Sequence, residues 1–122
     1  MEQDLKAREA VTKDGIPLPD ALEALRLFIY TSVGKKAFVW GNGATFDITI
    51  LESAYQSIDE ECPWPFRGVM DVRTICRACD PYLHRDNFPM TGTLHRAVDD
   101  AVHQAGYLSA MWRAIREGLK SD

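Results

Sequence analysis

Apolar side chains recur along this chain mostly at helical spacing, broken by two short runs that do not. Leu18, Leu22, Leu25, Phe28 and Ile29 follow a 3.6-residue rhythm and predict a helix over roughly 19–32 with one buried face. Pro17 and Pro19 set an extended approach, and Asp20 puts an acid in the first turn. Gly34-Lys35-Lys36 closes the helix, glycine past its end and cations at its negative pole. Ala37-Phe38-Val39-Trp40 is continuous and apolar between turn signals, so it reads as an interior strand buried on both faces. After the Gly41-Asn42-Gly43 turn, Thr45 caps an expected helix of about 46–58 with Ile48, Leu51, Ala54 and Tyr55 on one side.

Pro63-Trp64-Pro65-Phe66 reads as a stiff loop and Val69-Met70 as a second short strand. Asp71 caps a helix to about Cys79, which Pro81 stops, and 80–93 is a loop. A last helix over roughly 93–118 carries Leu94, Val98, Ala101, Ala105, Leu108, Met111, Trp112 and Ile115 as its core stripe. Residues 2–12 predict a short polar, peripheral helix. Nothing in the pattern repeats or divides the chain, so 1–122 is expected to be one domain.

At 122 residues the chain is large enough for one core with little to spare. No run of about 18 apolar residues exists, and the polar, acidic start is not a secretory signal, so no membrane span and a cytoplasmic location are expected. The net charge of −4 argues against a protein that holds nucleic acid by phosphate neutralisation alone. It does not oppose one that grips a few terminal nucleotides. Cys62, Cys76 and Cys79 are odd in number, as reduced thiols would be. With His84 they could approach a zinc site, but two clear ligand pairs are missing, and buried or incidental thiols are the alternative.

Candidate chemistry lies in two acidic segments. Trp40-Gly41-Asn42-Gly43-Ala44-Thr45-Phe46-Asp47 runs from a strand through a glycine turn into a helix, which places the turn at the carboxyl edge of a sheet, where α/β folds bind ligands. Asp47 either points back to that crevice or only caps its helix. In His95-Arg96-Ala97-Val98-Asp99-Asp100-Ala101, His95 and Asp100 differ by about 500°, so they border one site only if His95 lies in the loop or first turn. Either Asp99 or Asp100 faces the site, and the register alone does not choose.

Together with Asp71-Val72-Arg73-Thr74, and even Ile16-Pro17-Leu18-Pro19-Asp20-Ala21-Leu22, these segments resemble in order and spacing the DEDDh 3′–5′ exonucleases of the ribonuclease H-like superfamily. The resemblance covers essentially the whole chain. It implies an α/β, ribonuclease H-like fold and a nucleic-acid 3′ end as substrate. It also implies two divalent ions, Mg2+ or Mn2+, held by carboxylates. By position, Asp47 and Asp100 would be metal ligands and His95 the general base. Asn42 and Phe46 would lie beside the terminal nucleotide. Arg73 would reach a phosphate or serve only its helix.

That family also uses an earlier Asp-x-Glu on a strand, and no residue before Asn42 supplies one. The expectation is therefore a truncated fold, mostly helical with a residual short sheet, and a lone chain without hydrolytic activity, since hard cations need several oxygen ligands. A strand exposed by that loss, 37–40, would be covered by a second copy, giving a homo-oligomer. The rival expectation is a non-catalytic binding or assembly module that keeps the fold.

Overall fold

A computed structural model describes residues 15–93 and 96–120, together with Leu5. The helix expected over 2–12 falls, apart from Leu5, outside them, as do Leu94 and His95. The elements are mostly helical: α1 (Leu18–Val33), β1 (Val39–Gly41), α2 (Ala44–Ser57), β2 (Val69–Asp71), α3 (Val72–Cys79) and α4 (Ala97–Lys120). Short 3-10 turns stand at Phe66–Gly68 and Arg85–Asn87. The chain forms two compact units, one of Ile16–Arg73 and one that includes Thr74 onward.

In the first unit β1 and β2 are parallel neighbours, with Val39 opposite Val69, Trp40 opposite Met70 and Gly41 opposite Asp71. Parallel strands need a crossover, and α2 supplies it. The core joins Leu22 and Ile29 of α1, Ala37, Ala44, Ile48 and Tyr55 of α2's apolar face, and Trp64. Leu51 and Ala54 pack against it as their spacing predicts. Tyr55 is its centre: fully buried, edge-on to Trp64 and donating its hydroxyl to the Leu22 carbonyl at 2.8 Å. Arg26 lies over the Tyr55 ring at 5.6 Å and pairs with Glu60 at 3.1 Å. Burial raises the Tyr55 pKa above its usual 10, against the opposing pull of Arg26.

Several expectations are corrected here. The strand begins at Val39 rather than Ala37, and it is not buried on both faces: Phe38 is 66% exposed and Val39 and Trp40 are half-buried. Two strands do not enclose a strand as a full parallel sheet does. In α1 the core side is narrower than the rhythm suggests, since Leu18 and Phe28 are exposed. Only Leu22 and Ile29 are buried, one heptad apart.

In the second unit α4 buries Tyr107 and Met111. It starts at Ala97 rather than about 93, and its inward stripe is rotated from the expected one. Val98, Ala101, Ala105 and Trp112 are exposed, and His103 and Gln104 are half-buried instead. The preceding loop explains the shift. Phe88 leans on Tyr107, His103 stands edge-on to Tyr107, and the His103 Nε2 lies 2.8 Å from the Phe88 carbonyl. A polar residue is thus drawn inward by a backbone acceptor, which apolar periodicity cannot register.

Candidate active site: one carboxylate between two helix starts

The β1–α2 turn is built by glycines that serve different ends. Gly41 is buried, and a Cβ there would stand 3.0 Å from the Ala44 Cα, so the helix backbone approaches too closely for a side chain. Gly43 takes φ 90°, a left-handed conformation that other residues rarely hold. Thr45, the expected cap, lies inside α2, and no side chain of the turn caps the helix. The acceptor comes from β2 instead. Asp71 Oδ2 accepts the Ala44 amide at 3.0 Å and Oδ1 the Gly43 amide at 3.4 Å.

The same carboxylate caps α3, as expected, accepting the Arg73 amide through Oδ1 at 2.8 Å. Partial desolvation opposes its charge, but the Ala44, Arg73 and Gly43 amides and the Arg73 guanidinium prevail. They hold the Asp71 carboxyl below its usual 3.8. Three amides and a cation on one carboxylate clamp the strand ends to the helix starts. Arg73 completes the corner: a Cβ on Gly43 would lie 3.3 Å from its Cζ and Nη1.

With capping assigned to Asp71, the residues singled out around the turn are left at its surface. Asn42 is half-buried, Phe46 is 69% exposed, and Asp47 is exposed in the first turn of α2. The Asp47 carboxylate has no hydrogen-bond or ion-pair partner among the described residues. Asn42, Phe46, Asp47 and Arg73 therefore gather about one turn in one unit. Asp100 stands in the other unit, in the first turn of α4. His95 lies outside the described residues.

The pair Asp99 and Asp100 is separated by local bonding. Asp99 Oδ2 accepts the Thr93 amide at 2.9 Å and lies 3.8 Å from Arg96. Gly92, at φ 88°, packs so closely that a Cβ would stand 2.7 Å from the Asp99 Cγ. Asp99 fastens the loop ahead of α4, a structural task at a position the sequence left open.

Cys76 and Cys79 lie on α3, Cys79 buried with its thiol 3.9 Å from the Met111 carbonyl. Burial raises the Cys76 pKa, and Arg85 opposes it. His84 accepts the Asp86 amide through Nδ1 at 3.1 Å, closing its own 3-10 turn. Among the described residues no three His, Cys, Asp or Glu side chains converge on a metal position. Asp47 and Asp100, each in its own unit, carry the hard oxygen that Mg2+ and Mn2+ prefer, and one such donor does not fill the shell of either ion.

Residues 1–112 match the model of the 3′–5′ exoribonuclease Rv2179c-like domain, a span that takes in both acidic segments. The chain belongs to that family. No curated protein and no solved structure matches it. Among the described residues no helix is long and apolar enough to cross a membrane.

Proposed function

We propose that this chain carries part of a 3′–5′ exoribonuclease centre of the DEDDh type. Asp47 and Asp100 are its second- and third-motif carboxylates, and His95 is its general base. The observation that carries the reading is the division of labour among aspartates. Asp71 and Asp99 take up the capping and loop-fastening bonds, and Asp47 is left exposed beside Phe46 with no side-chain partner among the described residues.

On this reading Phe46 offers its exposed ring to the terminal base, and Asn42 hydrogen-bonds the last nucleotide. Arg73, held beside Gly43, faces a phosphate. His95 accepts the proton of the attacking water. Bound Mg2+ or Mn2+ would neutralise charge developing on the scissile phosphate, with Asp47 and Asp100 among its ligands. An Asp-x-Glu from outside these 122 residues completes the ligand set, so a polypeptide of these residues alone does not hydrolyse RNA. RNA rather than DNA follows the wording of the family description.

Calorimetric titration of the chain with Mg2+, alongside incubation with a 5′-labelled RNA, tests this. Weak Mg2+ binding that disappears in both Asp47→Ala and Asp100→Ala, without shortening of the RNA, is expected. Unchanged Mg2+ binding in both variants removes the assignment of the ligands. Shortening of RNA from its 3′ end by the lone chain removes the need for an outside Asp-x-Glu.

A further inference from the structure

Two acid-free segments of the first unit meet where the chain enters its parallel strands. Neither 32–46 nor 62–70 holds an aspartate or glutamate, and between them Lys35, Lys36 and Arg67 supply three exposed cations in a chain of net charge −4. The meeting point is the buried Ala37, whose carbonyl lies so close to Gly68 that a Cβ has no room there. Val39 then pairs with Val69. Lys36 and Arg67, each one residue ahead of that contact, are thus brought to the same end of the sheet by two separate stretches of chain.

Next to Arg67 stands Phe66, 91% exposed. Its exposure does not come from a loose segment. Pro63 and Trp64 are buried, with Trp64 edge-on to Tyr55. Pro65 leads into the 3-10 turn, and the Gly68 amide donates to its carbonyl at 2.9 Å. The loop is anchored on both sides of the ring and holds it outward, so little order remains to be lost on binding. Compensation of the α1 dipole would account for Lys35 and Lys36. It reaches neither Arg67 nor Phe66. Among the described residues the three cations have no ion-pair partner and Phe66 has no ring partner.

We infer that Lys35, Lys36, Phe66 and Arg67 form a surface that holds single-stranded RNA, at the amino ends of β1 and β2. The turn that presents Asp47 follows the carboxyl end of β1, so the two lie at opposite ends of a three-residue strand about 10 Å long. Phe66 stacks on a base, and the three cations contact the adjoining phosphates. An unpaired base offers the ring a free face, which a duplex does not. The choice of RNA as the polyanion rests on the exoribonuclease reading above. Binding at this surface needs neither metal nor hydrolysis. It also lets an acidic protein hold a polyanion, because its cations are gathered in one place.

The test is fluorescence anisotropy of the full chain with a labelled 20-nucleotide oligouridine, measured across a salt series with EDTA present. Phe66→Ala is expected to weaken binding about tenfold, and Phe66→Trp, which keeps a stacking face, to retain wild-type affinity. Lys35→Ala/Lys36→Ala/Arg67→Ala is expected to lower the salt slope by about two, from about 0.7 for each lost phosphate contact. All four residues are exposed, and circular dichroism establishes that each variant keeps the wild-type fold. Arg67→Glu, a single reversal, serves if the triple variant does not fold, and it is expected to weaken binding more than Arg67→Ala.

Wild-type affinity in Phe66→Ala, or an unchanged slope in the cation variants, overturns the surface. So does a wild-type chain that leaves the oligouridine unbound, or one that binds duplex RNA or phosphatidylserine vesicles as tightly through the same residues. Light scattering on Phe66→Ala guards against a second copy as the occupant: dissociation of a dimer with RNA affinity intact assigns the ring to self-association and overturns the inference. Failure of the cleavage reading looks different: Mg2+ binding indifferent to Asp47→Ala and Asp100→Ala, with the anisotropy changes above intact.

Discussion

Asp71, the last residue of β2, accepts the Ala44 amide at 3.0 Å across 27 positions of sequence, so the first turn of α2 is capped by the strand that follows that helix. The bond fixes where α2 begins, and with it where Phe46 and Asp47 are presented. It also makes the corner a single mechanical unit, because the same carboxylate holds the start of α3.

Removing that carboxylate should therefore cost more than one cap. Asp71→Ala is expected to destabilise the protein by about 2 kcal/mol, the upper end for loss of an N-cap. Thermal unfolding followed by circular dichroism would show a fall in Tm of roughly 10 °C. Loss confined to within a degree would mean that the Gly43 and Ala44 amides find other acceptors.

The same residue predicts an acid limb in stability. Its folded pKa lies below 3.8, so the unfolded chain binds the proton more readily and stability rises with pH through this range. The contribution is complete well above 3.8 and is lost as pH falls through the depressed value. Urea unfolding between pH 6 and 2.5 should show this loss in the wild type and a shallower one in Asp71→Asn.

At the alkaline end Tyr55 acts in the opposite sense. Burial raises its pKa, so its neutral form is favoured in the folded state. That stability is complete below the usual value of 10 and is lost as pH rises through the raised value. Tyr55→Phe removes both the titration and the hydroxyl bond to Leu22. It should lower stability by about 1 kcal/mol at neutral pH and flatten the decline above pH 10.

Adjacent aspartates should separate cleanly in mutagenesis. Asp99→Ala leaves the Thr93 amide without its acceptor and is expected to cost about 1 kcal/mol. Asp100→Asn keeps the shape of the side chain and should cost less stability than Asp99→Ala while abolishing Mg2+ binding. Calorimetry and melting curves on the two variants give the contrast, and equal losses of stability would dissolve it.

The outer edge of β1 has no strand partner among the described residues, and Phe38 beside it is 66% exposed. Open edges of this sort pair with further chain. A homodimer at tens of micromolar is expected by light scattering, and Phe38→Lys should shift it toward monomer. A monomer across that range in the wild type would refute the association.

The parts of this architecture that were legible in the sequence are those set by local rules. The α2 face of Ile48, Leu51, Ala54 and Tyr55, the stop of α1 at Gly34 and the cap of α3 by Asp71 all follow from neighbours within a few residues. What escaped was every decision made at a distance. Thr45 looked like the cap of α2 because the true acceptor stands far along the chain. The inward stripe of α4 was misjudged because Phe88 and its carbonyl draw in His103 and Tyr107. Of the residues singled out, Asn42, Phe46 and Asp47 stand about one turn because they are neighbours in the chain, and Arg73 comes beside Gly43 through β2, a placement that the strand–turn–helix pattern did not address.

Gly68 lies directly beneath the Ala37 carbonyl and against the Pro65 ring, where no Cβ fits. Its bare backbone sets the gap between the approach to β1 and the start of β2. A methyl group there would collide with the Ala37 carbonyl, so the backbone entering β1 or β2 would have to move. The position with the least chemistry of its own thus decides how closely the two strands can approach.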